Sequence, residues 1–176
     1  MKNVHKPIIY WSTLKYENWL FYLAATLKGL CYVGSPNGPF NGMTDLAKRR
    51  FPDFELREDH IVLNPYKEEL FEYLKGKRNS FTFSVDAKGT SFQQEIWNAL
   101  NQIPYGETYT YSQIAEMIQR PAAVRAVGTA IGANPVLISV PCHRVIGKNG
   151  ALTGYRGGLE MKEHLLRLEK GDDMNG

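Results

Sequence analysis

Cys142 and His143 stand side by side in Pro141-Cys142-His143-Arg144-Val145, directly after the apolar run Val136-Leu137-Ile138-Ser139-Val140. A free thiol is a weak nucleophile at neutral pH, and a nearby base or positive charge converts it to the reactive thiolate. The pair could therefore carry out a nucleophilic group transfer. Neighbours on a strand point to opposite faces, and free cysteine is among the most buried residue types. The dipeptide alone thus equally describes a structural cysteine ending a core strand. A third residue draws notice near the end of the chain. Glu169 falls at the C-terminal end of the last expected helix, just before Gly171. A carboxylate there faces the negative end of the helix dipole, at a cost of a few tenths of about 1 kcal/mol. A specific buried partner would explain it, and so would a surface pairing with Lys170.

Charge adds a second clue. The net charge is only +3, but no acid occurs between Glu116 and Glu160, a stretch holding Arg120, Arg125, Arg144, Lys148 and Arg156. Cations without anions suit a phosphate backbone; a solvated basic face is the plain alternative. Two cysteines in different parts of the chain, with no C-x-x-C and no H-x-x-x-H, argue against a disulfide framework and a structural zinc. The longest apolar run, Trp19 to Ala25, is too short to span a bilayer. No signal-peptide pattern follows Lys2 and Lys6. A cytoplasmic protein is expected, nucleoid-associated when on DNA, with no metal, no cofactor and no membrane contact.

The elements that must position these residues divide into two domains, expected at 1–88 and 89–176. In the first, Ile8–Ser12, Trp19–Thr26 and Leu30–Gly34 read as strands, the last two as a hairpin across Lys28-Gly29. Thr44 or Asp45 could cap a short helix ending before Pro52. Asn64 with Pro65 predicts the start of a longer helix stopped by Gly76, its apolar stripe being Leu70, Phe71 and Leu74. Phe81, Phe83 and Val85 alternate with polar residues as in a half-buried strand. In the second domain Thr90 or Ser91 caps a helix with Phe92, Ile96, Trp97 and Leu100 on one face, Gln93 or Gln94 closing a capping box. Thr110 caps the next helix, with Ile114, Ala115 and Ile118. After Arg120-Pro121, residues Ala122 to Gly132 form a third, made almost wholly of small residues and Arg125. Helix, short turn, helix is the helix-turn-helix arrangement, and small side chains let a helix approach another surface closely.

Taken in order, Phe92-Gln93-Gln94-Glu95-Ile96-Trp97, Ile103-Pro104-Tyr105-Gly106-Glu107-Thr108, Tyr111-Ser112-Gln113-Ile114-Ala115, Arg125-Ala126-Val127-Gly128-Thr129-Ala130, Asn134-Pro135, the Cys142 motif, Gly154-Tyr155-Arg156-Gly157-Gly158-Leu159 and Lys162-Glu163-x-Leu165-Leu166 resemble the O6-alkylguanine-DNA alkyltransferases, the methylated-DNA–protein-cysteine methyltransferases. The resemblance covers Thr90 to Glu169 well and the first half loosely. It implies an α+β protein with a small, RNase H-like α/β N-terminal domain followed by a winged-helix C-terminal domain. It implies single-turnover transfer of an alkyl group from O6-alkylguanine in double-stranded DNA to Cys142, O4-methylthymine being a further candidate substrate. His143 would take the thiol proton through a water, Glu169 would orient His143, and Asn134 would brace the site. Tyr111 would assist rotation of the nucleotide and protonate the departing base. Arg125 would fill the vacated stack, with Ala122, Ala123, Ala126, Gly128 and Thr129 lying in the minor groove. Val145, Tyr155, Arg156 and Gly157 would join Tyr111 in lining the base pocket. A monomer with no obligate protein partner is implied. Two other readings compete. One is a non-catalytic lesion-binding or winged-helix regulatory protein, whose cysteine is incidental; the other is a cysteine hydrolase, which leaves the helix-turn-helix without a use.

Overall fold

The structure, a computed structural model, describes residues 6–172. The first half is a four-stranded sheet with a helix on each face. Its strands are β1 (Ile8–Tyr16), β2 (Trp19–Thr26), β3 (Gly29–Val33) and β4 (Glu55–Glu58), in the order β3-β2-β1-β4. The first three pair antiparallel, and β4 adds parallel to β1 with Ile8 opposite Glu55. Because side chains alternate across a strand, the two faces are distinct. Leu14, Phe21, Leu23 and Ala25 face α2 (His60–Leu74), whereas Ile9, Ala24 and Cys31 pack against Met43, Leu46 and Ala47 of α1 (Phe40–Arg50).

Several boundaries differ from the sequence-based expectations, each for a local reason. Strand β1 continues past Ser12 to Tyr16, because its outer half pairs with β2 through a tight turn in which Glu17 takes φ 51°. Helix α1 starts at Phe40, not at Thr44 or Asp45; the Phe40 ring lies 5.0 Å from Trp11 and 5.5 Å from Tyr22 and anchors the first turn, while the Thr44 hydroxyl donates to the Asn41 carbonyl. Helix α2 starts after Asp59, whose carboxylate accepts from the Ile61 and Val62 amides, both at 3.0 Å. Asn64 is then an exposed helical residue bonded to Glu68, and Pro65 sits inside the helix. The buried stripe of α2 is Leu63, Leu70, Tyr73 and Leu74; Phe71 is partly exposed and rests on Tyr16. Phe81, Phe83 and Val85 form no strand. Val85 makes a single bridge to Leu30, and the two rings stack on each other and on Tyr73 and Tyr66.

The second half follows its capping signals. Thr90 caps α3 (Ser91–Leu100) and Thr110 caps α4 (Tyr111–Met117), each closing a capping box with the glutamine three residues on, Gln93 and Gln113. The small-residue segment opens as a 3₁₀ turn, Pro121–Ala123, before α5 (Val124–Gly132). Two short strands, β5 (Tyr109–Thr110) and β6 (Val145–Ile146), pair in parallel, and α6 (Leu159–Glu169) closes the fold. The Trp97 indole donates to the Ala130 carbonyl at 2.9 Å and ties α3 to α5. One buried apolar cluster includes Leu14, Leu70 and Leu74 of the first half and Ile114, Val127 and Leu165 of the second, so the halves share a core. No helix among the described residues is long and apolar enough to cross a membrane.

Replacing an N-cap aspartate by alanine costs about 1 kcal/mol. Asp59→Ala is therefore expected to lower the urea unfolding free energy by about that amount, and Asn64→Ala by a few tenths of it. Equal losses would contradict the assignment of Asp59 as the cap.

Candidate active site

The apolar run before Cys142 is a buried turn and not the expected strand. Val136 bridges to Val33, the chain then reverses, and the Val140 amide donates back to the Val136 carbonyl at 3.1 Å. Ile138, 2% exposed, adopts φ 69° within it. A β-branched residue in this left-handed region is strained by about 1–2 kcal/mol, so surrounding contacts must hold the turn. Asn134 supplies several. Its side-chain amide donates to the Val140 carbonyl (3.0 Å), the Val136 carbonyl (3.3 Å) and Cys142 Sγ (3.2 Å), while its oxygen accepts from the Val136 amide at 3.0 Å. The reversal thereby brings the sulfur under an N–H donor eight residues earlier in the chain.

Cys142, His143 and Arg144 form one turn of 3₁₀ helix, and all three are buried. His143 Nε2 lies 2.7 Å from Glu169 Oε2, a distance that puts the ring proton on Nε2 and the lone pair on Nδ1. Nδ1 is itself buried and, among the described residues, has no hydrogen-bond partner. Glu169 is the most heavily bonded side chain of the site. Arg144 grips it with Nε at 2.7 Å from Oε1 and Nη2 at 3.0 Å from Oε2, the Tyr73 hydroxyl donates to Oε2, and the Gly106 amide approaches Oε1 at 3.4 Å. Arg144 also donates to the Ile103 carbonyl at 2.7 Å.

These contacts set the ionisation of the group. Burial pushes the Glu169 carboxyl up, but the hydrogen bonds and charges of His143 and Arg144 outweigh it and hold the pKa at about 2. Burial lowers the His143 imidazole despite the Glu169 hydrogen bond and charge. Burial likewise raises the Cys142 thiol, opposed by the Asn134 amide and by the positive charges of Arg156 and Lys162. At rest this is a thiol with a neutral imidazole beside it, ready to ionise when a base can take its proton. Lys162, 1% exposed, donates to the Thr153 carbonyl at 3.0 Å, and Thr153 Oγ1 donates to the Tyr111 hydroxyl at 2.9 Å, leaving the phenolic proton of Tyr111 free to be given.

The expected pocket residues divide. Val145 is fully buried, and its amide donates to the Cys142 carbonyl. The Tyr155 hydroxyl is buried and has no partner among the described residues. Gly157 is fixed by packing: a Cβ there would lie 2.7 Å from both Met161 Sδ and the Tyr155 ring. Arg156 departs from its expected place in the pocket. Its guanidinium donates to the Asn134 carbonyl (3.0 Å) and the Val33 carbonyl (2.8 Å) and lies over the Tyr32 ring, so it fastens the two halves together behind the site. On α5 and its preceding turn, Ala122, Arg125, Ala126 and Thr129 are exposed and Ala123 is half-buried; with Thr90, Phe92 and Gln93 they line an open depression of about 650 Å³. Gly128 is turned away from that face, half-buried toward the Tyr111 ring. Among the described residues no three His, Cys, Asp or Glu side chains are grouped to hold a metal ion.

Sequence reasoning overlooked Arg144, Tyr73 and Lys162 as parts of the site. Arg144 and Lys162 stand within the Cys142 motif and the Lys162-Glu163-x-Leu165-Leu166 motif, where the sequence marks each as a cation without indicating a buried partner. Tyr73 sits three residues after Leu70, a position that predicts burial but not a polar partner ninety-six residues away.

Comparison with known proteins gives a consistent result. A family model described as the DNA binding domain of 6-O-methylguanine DNA methyltransferase matches residues 91–171, and one described as the ribonuclease-like domain of the same family matches residues 9–87. The chain is 60% identical over 166 residues to an inducible methylated-DNA–protein-cysteine methyltransferase of Bacillus subtilis, covering 94% of this chain and 93% of that one. It is 46% identical over 147 residues to a methyltransferase of the same name from Methanosarcina acetivorans, covering 84% and 89%. The crystal structure of Mycobacterium tuberculosis O6-methylguanine methyltransferase superposes with a TM-score of 0.80 at 36% identity over 96% of each chain. The structure of that organism's protein in complex with DNA superposes with a TM-score of 0.77, also at 36% identity, over 93% of each chain.

The Glu169 carboxyl is held well below its ordinary value of 4.5, at about 2. Its contribution to stability is therefore complete above pH 4.5 and disappears as pH falls through about 2. Across that window the urea midpoint of the wild-type protein is expected to fall more steeply than that of Glu169→Gln. Parallel slopes would contradict the assignment.

Proposed function

The chain belongs to the 6-O-methylguanine DNA methyltransferase family, and from that premise we propose that it repairs alkylated DNA by moving the alkyl group of O6-alkylguanine onto Cys142. The observation that carries this reading is the buried Cys142 sulfur, held by Asn134, beside a His143–Glu169 pair. In the transfer, the Cys142 sulfur attacks the alkyl carbon, an S–C bond forms and the C–O6 bond breaks. The thiol proton passes through a water to His143 Nδ1, the lone-pair nitrogen that no group among the described residues occupies. The imidazolium so formed is stabilised by Glu169, in the logic of nucleophile, base and orienter. The departing guanine takes a proton from Tyr111, whose oxygen is held by the Thr153 hydroxyl. The product is a thioether, which is neither a base nor a leaving group under these conditions, so each molecule acts once.

The target carbon is out of reach inside a stacked duplex, and the base must turn out to meet the sulfur. The exposed row Ala122, Arg125, Ala126 and Thr129 supports a role in minor-groove contact. Small side chains permit close approach, and Arg125 is the one long side chain able to replace the extruded base. Contacts of this kind favour shape over sequence, as damage repair in any context requires.

Cys142→Ala is expected to abolish transfer of a labelled methyl group from an O6-methylguanine duplex while leaving duplex binding intact. Transfer that survives the substitution would remove Cys142 as acceptor. Arg125→Ala is expected to slow duplex repair by about tenfold or more, about 1.4 kcal/mol of transition-state stabilisation, with little effect on reaction with free O6-benzylguanine. Equal losses on both substrates would remove Arg125 from base extrusion.

A further inference from the structure

One group in the buried network comes from the other half of the molecule. Tyr73 is on α2, in the sheet domain, 1% exposed, and its hydroxyl donates to Glu169 Oε2 while lying 3.4 Å from His143 Nε2. Oε2 is the same oxygen that His143 uses. We infer that Tyr73 is a positioning residue through which the N-terminal domain sets the base strength of His143, by sharing the carboxylate oxygen on which the imidazolium depends. This rests on the reading of Cys142 and His143 as nucleophile and base.

The geometry separates two tasks. Arg144 holds both carboxylate oxygens with a forked pair of N–H bonds at 2.7 and 3.0 Å, so Glu169 keeps its place without Tyr73. What the phenol adds is a donor that spreads the charge of Oε2, leaving less of it for His143. A base that is too strong would ionise the thiol in the resting protein and expose a thiolate to irreversible side reactions. The titratable and charged groups facing this point are Glu169 from α6, His143 and Arg144 from the turn after Pro141, and Tyr105, whose ring lies 6.2 Å from that of Tyr73 and beneath the Arg144 guanidinium; Tyr155 and Lys162 act from farther off. Phe81 covers the remaining side of the Tyr73 ring at 5.6 Å. Burial first, then the Glu169 charge, hold the Tyr73 phenol well above its ordinary value, so it stays a donor throughout the working range.

Tyr73→Phe keeps the ring and its packing and removes only the donor. The test follows the His143 ring Cε1–H resonance against pH by NMR for the wild-type protein and for Tyr73→Phe, the resonance being identified by its loss in His143→Gln. The His143 midpoint is expected to rise by about one pH unit in Tyr73→Phe, which is about tenfold more imidazolium at a fixed pH above the midpoint. The single-turnover rate on an O6-methylguanine duplex should rise at pH values above that midpoint, where His143 is neutral and able to act as base. In a Glu169→Gln background the Tyr73→Phe shift should vanish, since the effect travels through that carboxylate. An unmoved midpoint with only a lower unfolding temperature, or a downward shift, would overturn the inference. Failure of the wild-type protein to accept a methyl group would instead overturn the functional reading, so the two are distinguishable.

Discussion

A carboxylate removed from water costs several kcal/mol unless its oxygens are fully bonded, and Glu169 meets that condition only in the complete fold. Its donors come from α2 (Tyr73), from the 3₁₀ turn (His143 and Arg144) and from the loop before α4 (Gly106), while the carboxylate itself ends α6. No two of these segments are neighbours in sequence except the residues of the turn. Sheet domain, turn and final helix must therefore all be docked before the charge is stable, and once it is stable they are locked together. The same charge is what lets His143 accept a proton in an apolar interior. Structural cohesion and chemical activation thus rest on one group.

The nucleophile is restrained as much as it is activated. Burial favours the neutral thiol, whereas the Asn134 amide and the nearby cations favour the thiolate. The balance gives a sulfur that ionises when its proton has a destination, which suits a residue that can be used only once. The backbone supports this balance through the left-handed turn at Ile138. Without that reversal Asn134 could not reach Cys142 and the carbonyls of Val136 and Val140 together. Arg156 and Gly157 serve the same end from outside, the first fastening Asn134 to Val33 and the second making room for the Tyr155 ring.

Much of the site was legible because its information is local. Cys142 and His143 announce themselves as a pair, and the helix starts at Thr90 and Thr110 are encoded within four residues each. Where the expectation failed, a longer-range contact decided. Asn64-Pro65 is a sound start signal, yet Asp59 lies five residues earlier beside the new parallel strand β4, and tertiary packing carries the helix through Pro65. Glu55–Glu58 has no strand-like composition; it is a strand because the edge of β1 offers it hydrogen bonds. Phe81 and Phe83 alternate as a strand would but face aromatic rings and not a pairing partner. Arg156 and Tyr73 could not be placed from sequence, since each is defined by a partner more than ninety residues away.

The central claim is that Cys142 is an acceptor consumed in the reaction. Intact-protein mass spectrometry after incubation with a duplex carrying one O6-methylguanine, followed by peptide mapping, tests it most directly. The account predicts a gain of one methyl group, located on Cys142, with one guanine restored for each protein molecule. Tight binding to the duplex with no change in mass, or restoration of many guanines by one molecule, would contradict it.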